Sequence, residues 1–460
     1  MLDFNQKKMK RKIFITLLLG TIVLSSCKKL IDIDPVNSQP GSETLKLGKN
    51  VQGVLTSAYE RLTSNQFLAG EITRTNELYA DDVDFANATG GAPAQFVSRD
   101  FSLFNQQGRD LWAAGYTAIG YSNIVIDAVD KNLFTDYTDA QKAQMKAQAL
   151  FIRGVAHFEL VRLFAKPYSN GPTVDAGIPI RIIAVTSDQA KQQVPRNSVD
   201  EVYKQVITDL KEAETTLVAA NSVFATKWAA KAYLARVYFN MGDYANAFTY
   251  SNDVITNGGF NLGTSVTAPF NSLGGSAPSP LPTGVLFLAV SDGSLLRGNF
   301  WNSDLNATFL PLSTQLYADF NSKGGNRKTQ LTVVANKPIS LKWSGGAAIN
   351  VPTIRLAEMY LTRAESRVQK GAFVDADVRA DYNAVRAVAN VTPDNTTTGA
   401  AALLAVIRTE RHVELALEGD RFNELRRLKS TIRGIAFNDS KQLLKIPDSE
   451  TTANPNIVQN

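Results

Sequence analysis

The stretch that most constrains this chain runs from Ile407 to Leu428, I-R-T-E-R-H-V-E-L-A-L-E-G-D-R-F-N-E-L-R-R-L. Leu403, Ile407, Val413 and Leu417, then Phe422, Leu425 and Leu428, recur mostly at three- and four-residue steps, the spacing of one buried helical face. Gly419-Asp420 breaks that face. Glycine can stop a helix in the left-handed conformation and aspartate can cap the next, so the pattern predicts two helices joined by a tight bend. Glu410, Glu414 and Glu418 stack at i, i+4 and i+8, where like charges repel unless cations are brought to them. Arg411, Arg421, Arg426 and Arg427 are the local candidates, Arg355 and Arg363 the distant ones. Such a row can serve acid-base or metal chemistry, or it can be one side of an arginine–carboxylate lattice that fixes how helices dock. The planar fork of arginine suits the lattice, and no third ligand type stands nearby.

E-R-H-V-E-L-A-L-E-G-D-R-F-N-E-L-R-R resembles the C-terminal signature of the SusD/RagB family, E-R-R-x-E-L-x-x-E-G-x-R-x-x-D-L-x-R. It departs from that pattern at His412, where arginine is usual, and at Glu424, where aspartate is usual.

Other stretches bear on the same resemblance. Lys7, Lys8, Lys10, Arg11 and Lys12, with Met9 as an alternative start, precede an apolar run, Ile13 to Val23, that is short for a bilayer span. L-S-S-C then ends at Cys27, the only cysteine, so no intramolecular disulfide can form. Residues 1–26 read as a lipoprotein signal peptide, Cys27 as the lipidation site and residues 27–45 as a tether. K-K-L-I-D-I-D-P after the cysteine is similar to the post-cysteine segment of SusD-like proteins. The formal charge of +5 comes mostly from the leader: without its five basic residues and one acidic residue the balance is 43 to 42. That removes the electrostatic case for a nucleic-acid partner.

Periodicity predicts a helix over Leu47–Leu62 and a long one over Ala143–Leu163. N-E-L-Y-A-D-D-V-D-F, Asn76 to Phe85, resembles the family's early acidic segment, and its aspartates lack the spacing of a calcium loop. Trp112, Tyr116, Ile119 and Asn123 match W-x-x-x-Y-x-x-I-x-x-x-N, which makes Trp112 a core residue. His157, among apolar neighbours, reads as a packed core histidine. Ser198 with Glu201 three residues on reads as a capping box. Thr226–Ile255, with G-D-Y-A-N-A at its turn, looks like a tetratricopeptide (TPR) helix-turn-helix, and Pro352–Ala376 carries a second such turn. Between them the chain is rich in Gly, Ser, Pro and Asn, with Val285–Val290 as its clearest strand.

The fold class expected is mainly α. A TPR-like helical scaffold, about 46–257 and 350–430 of a domain covering 46–460, is interrupted by a loop-rich insertion, about 258–349, with minor β structure. No G-x-S-x-G, P-loop or G-x-G-x-x-G occurs, and only two histidines exist, so neither a catalytic nor a metal site is assigned and no cofactor is implied. The resemblance implies a lipid-anchored outer-membrane protein, facing the cell exterior, that binds an oligosaccharide or another nutrient and delivers it to a SusC-like TonB-dependent transporter. The alternative from another class is a TPR-like envelope scaffold that binds only proteins.

Sugar recognition needs flat aromatic faces and planar polar groups. Two loop-like stretches offer them, Ala86–Gln107 with Phe96 and Arg99, and Gly293–Asn306 with Arg297, Phe300, Trp301 and Asn302. Trp301 is the first choice for a stacking platform, and Trp343 and the Lys166–Pro195 loop come next.

Overall fold

Capping chemistry sets several helix starts in the computed structural model, which describes residues 41–84, 91–184, 192–270, 277–291, 294–300, 310–344 and 349–460. The first helices are α1 (Gly48–Leu62), α2 (Glu71–Tyr79), α3 (Gly91–Ser98), α4 (Gln106–Asp130) and α5 (Asp139–Phe164). Asn105 caps α4 through Gly108 N–H, and Thr138 with Gln141 forms a capping box at α5. The box expected at Ser198 and Glu201 opens α6 (Val199–Thr216), satisfying first-turn amides that have no helical partner. α7 (Lys227–Met241) ends on Gly242, whose φ of +78° supplies the left-handed cap, and Asp243 caps α8 (Tyr244–Asn257).

After α8 come β1 (Val285–Ala289), α9 (Ser294–Phe300), α10 (Thr314–Lys323), β2 (Leu331–Val334) and β3 (Lys337–Ser340). β4 (Val351–Arg355) then leads into α11 (Leu356–Gln369), α12 (Asp375–Val388), α13 (Ala400–Leu415), α14 (Arg421–Arg427) and α15 (Asp448–Ala453). β1 pairs antiparallel with β4, with a register irregularity around Phe287, and β2 with β3. Pro352–Arg355 is therefore strand, and the second helical repeat begins at Leu356.

Each helix of the scaffold packs on the next: α1 on α4, α4 on α5, α5 on α6, α6 on α7, α7 on α8, α8 on α11, and α11 on α12 and α13. The contact of α8 with α11 shows how two repeats far apart in sequence stack as neighbours. The insertion leaves after α8 and returns by laying β1 against β4. α5 is the central element, with every residue from Ala149 to Val161 buried. His157 lies there in the core, its Nδ1 donating to Arg153 O at 3.0 Å and its Nε2 accepting from Arg181 N at 3.4 Å. Burial and then the Arg153 charge push its pKa down to about 3, so it is a neutral packed histidine. The architecture is mainly helical with minor β, as the sequence predicts.

Two of the expected loops contain helices. Residues 91–98 form α3, where Phe96 packs edge-on against Tyr79 and Phe101 at 4.9 Å each. Residues 294–300 form α9, where Leu296 and Phe300, four apart, share a buried face that Gly298 and Asn299 obscure in the sequence.

Candidate functional site

The three glutamates of the C-terminal stretch are met by cations from other elements. Arg327 donates to Glu410 and Glu414, each at 2.6 Å. Arg355 reaches Glu414 at 2.9 Å and grips Glu418 with two nitrogens at 2.7 Å. Lys342 adds 2.7 Å to Glu418, and Arg386 3.0 Å to Glu410. Of the expected partners only Arg355 takes this part. Arg363 pairs with Asp381, Arg411 with Asp420, Arg421 with Asp81 and Arg427 with Glu424 and Glu365, while Arg426 donates to the carbonyls of Arg162 and Ala165. Burial alone would raise Glu414, but Arg327 and then Arg355 outweigh it and hold the carboxyl down at about 2. A carboxylate fixed in its charged form by two guanidinium forks is a lattice member, not a proton donor.

The bend between α13 and α14 forms as expected at Gly419, with φ +82°. Asp420 occupies the capping position without bonding the helix amides, because Arg411 takes both of its oxygens, at 2.6 and 2.8 Å. The bend is also the place where the signature grips the end of α2 and the acidic segment that follows it. Gly419 N–H donates to Glu77 at 2.7 Å, Asn423 to Asn76 at 3.0 Å, Arg421 holds both oxygens of Asp81 at 2.8 and 3.0 Å, and His412 Nε2 donates to Asp82 at 2.6 Å. Arg433 adds bonds to the carbonyls of Ala80 and Val83. Asp81 and Asp82 are thus engaged by a guanidinium and an imidazole. Among the described residues no group of three or more His, Cys, Asp or Glu side chains is placed to hold a metal ion.

What this grip positions is the base of two segments. Val83 bridges Leu312 antiparallel, Asp84 N–H donates to Pro311 O at 2.8 Å and Ser313 N–H to Asp82 O at 2.8 Å. Leu310 N–H donates to Asn299 O at 2.9 Å, so the chain leaves after Phe300 and returns at Leu310 through one closed neck. Asp84 and Leu310 therefore lie at one junction, with Pro311 and Asn299 as their backbone partners. α9 runs from this neck, along α2, to Asn65, which bonds Ser294 and Ser291 at 3.2 Å each. There a cleft of about 340 Å³ opens, lined by Tyr59, Ser64, Phe224, Leu288 and Val290 among others. Tyr59 and Phe224 meet edge-on at 4.9 Å, and Phe224 stays partly exposed.

Of the residues singled out from sequence, Arg297 is exposed midway along α9. Phe300 is fully buried beneath it, which corrects the expectation of a loop aromatic free of the core. Phe96 is likewise fully buried, and Arg99 is buried with its guanidinium donating to Tyr79 O at 2.8 Å and Gln442 at 3.1 Å. Both belong to the support under the surface, because Tyr79, Phe96 and Phe101 form one aromatic cluster. Trp343 is core too, donating to Leu417 O at 3.1 Å. Trp301, Asn302 and Cys27 lie outside the described residues. Phe104 is the aromatic that sequence reasoning passed over. It is 76% exposed on the turn before Asn105. Its only signal is its place just outside the α4 cap, where no helical face needs it.

Residues 31–239 match a family profile described as starch-binding and associating with the outer membrane, and residues 235–435 match that of the SusD family. The chain belongs to the SusD/RagB family. This SusD/RagB protein is 26% identical over 251 residues to SusD-like protein P2 of Formosa agariphila, across 54% of this chain and 46% of that protein. A SusD-like protein of Bacteroides ovatus is 27% identical over 183 residues, 37% of this chain and 31% of the relative. These matches span half or less of the relatives' own length. Among solved structures, a SusD superfamily protein from Bacteroides thetaiotaomicron superposes with TM-score 0.80 at 23% identity, covering 90% of this chain and 99% of that one. A putative sugar binding protein from Bacteroides vulgatus gives TM-score 0.77 at 26% identity, over 91% and 99%. A laminarin binding SusD-like protein gives 0.68 at 18% identity, over 90% and 99%.

Proposed function

We propose that this SusD/RagB protein captures an oligosaccharide at the rim formed by α9, the neck at Asn299 and Leu310 and the Val83–Leu312 bridge, and passes it to a SusC-like TonB-dependent transporter. The observation that carries the reading is the convergence of the two candidate ligand segments on one base, which the family signature itself pins through His412 and Arg421. Trp301, Asn302 and the exposed Arg297 are the proposed ligand contacts, with Phe104 and Phe224 as further aromatic surface. The likeness to proteins described as sugar binding and laminarin binding supports a glycan as the ligand. Lipidation at Cys27 and a position on the outer face of the outer membrane complete the proposal. No helix among the described residues is long and apolar enough to cross a membrane.

Calorimetric titration with a panel of neutral oligosaccharides, wild type against Trp301→Ala, tests the reading, with circular dichroism as the folding control. Loss of about 2 kcal/mol or more of binding is expected, since a few aromatic residues usually dominate such surfaces. Unchanged affinity in a folded variant removes Trp301 from the site. Binding of a protein partner with no response to any glycan favours the scaffold instead. Mass spectrometry of the native N-terminus reads lipidation directly: an unmodified Cys27 defeats that part.

A further inference from the structure

The turn between α6 and α7 separates the Phe224 cleft from a second groove. Ala219–Ser222, Thr226, Gly259–Asn261 and Ser279–Leu286 line its volume of about 460 Å³. That volume falls within the roughly 300–1,000 Å³ of small-molecule sites. Among the described residues no charged side chain lines it, although 20% of the chain is charged. An anionic or cationic ligand would lose its hydration there without gaining a counter-charge.

The chemistry that is present is apolar planes interleaved with neutral hydrogen-bonding groups. Phe260, Pro280, Leu281 and Pro282 supply the first. The half-buried Phe260 ring lies so close to Gly258 that a Cβ there would stand 2.7 Å from its Cδ2, so the missing side chain helps to seat the ring. Asn221 commits its amide nitrogen to Ala225 O at 3.3 Å and keeps its carbonyl oxygen, while Asn261 commits its oxygen to Gly263 N at 3.1 Å and keeps its NH₂. The groove lining therefore keeps a neutral acceptor at Asn221 and a neutral donor at Asn261. Its backbone is also unusual. Ser222 holds φ +49°, Gly259 +72° and Gly284 +78°, three left-handed residues around one groove. For a serine this conformation is strained, and such strain tends to gather at ligand sites.

We propose that this groove is a second subsite for an uncharged saccharide unit, stacked on Phe260 and hydrogen-bonded by Asn221 and Asn261. It rests on the reading that the protein binds oligosaccharides. Sugar rings match the lining because their CH faces need an apolar plane and their hydroxyls need neutral donors and acceptors.

Hydrogen–deuterium exchange of the intact protein locates binding, with gluco-, xylo- and manno-hexaose as neutral probes and an oligogalacturonide as the acidic one. A neutral probe is expected to protect residues 217–226 and 279–286 as well as 291–312. Phe260→Ala should abolish the first two protections, leave the third and halve the calorimetric stoichiometry, and Phe260→Trp should keep all three. Protection confined to 291–312 in the wild type overturns the second subsite and leaves the proposed function standing. Stronger groove protection by the oligogalacturonide overturns the neutral class. No protection and no heat with any probe overturns both readings. The wild-type pattern decides even if Phe260→Ala fails to fold.

Discussion

Glu414 stands in the middle of the glutamate row, where Arg327 and Arg355 both end on it and both are buried. Glu414→Ala leaves two guanidinium groups short of a partner, and breaking a buried pair in this way costs about 3 to 5 kcal/mol. A fall of many degrees in Tm is expected, and a variant that melts like the wild type would sink the lattice reading. The same residue sets an acid limit. Its folded pKa is depressed from 4.5 to about 2, so its contribution is present above pH 4.5 and lost as pH falls toward 2. His157, depressed from 6.5 to about 3, acts in the same direction between those values, since the unfolded chain takes up the proton first. These two groups therefore pull the denaturant midpoint down as pH falls from about 6.5 to 3. Glu77 has the opposite sign. Burial and then the nearby Asp82 raise its pKa well above 4.5, so its stabilisation is full below that value and fades as pH rises through the folded pKa. Glu77→Gln keeps an acceptor for Gly419 N–H without the charge, and is expected to match wild type at pH 4 and exceed its stability at pH 8.

At the scale of elements, the α13–α14 bend is the feature with least room for change. Gly419 holds φ +82°, and a Cβ there would stand 3.2 Å from the Cα of Thr73 on α2. Gly419→Ala combines a left-handed penalty of about 1 to 2 kcal/mol with displacement of α2, so thermal melting should show a loss above 1 kcal/mol. The bend was legible in the sequence because the glycine interrupts a clean apolar face. The Ser198 box and the two repeat turns were legible for the same kind of reason, a local signal with a local cause. The partners of the glutamate row were not. Periodicity says that Glu410, Glu414 and Glu418 share a face, but Arg327 and Lys342 arrive from the insertion, tens of residues away, and no local pattern marks them. α3 and α9 were missed because glycine, alanine and asparagine dilute short apolar pairs. Phe96, Arg99 and Phe300 were accordingly misplaced on the surface. The candidate site was legible as two regions of chain, and the Val83–Leu312 bridge that joins them was not, being a long-range backbone contact.

For the whole molecule, the scaffold and the proposed ligand rim meet at His412. Its bond to Asp82 links α13 to the chain that bridges Leu312, and Ser313 N–H closes the same junction through Asp82 O. The imidazole's hydrogen bond ends on Asp82, so the effect on binding that we propose travels through the base of the rim. His412→Ala leaves a buried aspartate oxygen without its donor, a cost of about 1 to 3 kcal/mol in stability. If the junction sets where the two segments emerge, affinity for a bound oligosaccharide should fall as well, well below the melting temperature. Hydrogen exchange should quicken at residues 80–84 and 310–313 while the α4–α5 core stays protected. His412→Arg restores the residue usual in the family pattern and a donor at the same place, and is expected to bind like the wild type. A His412→Ala variant that melts earlier but binds with unchanged affinity would mean that the signature holds the helices together and leaves the rim to itself.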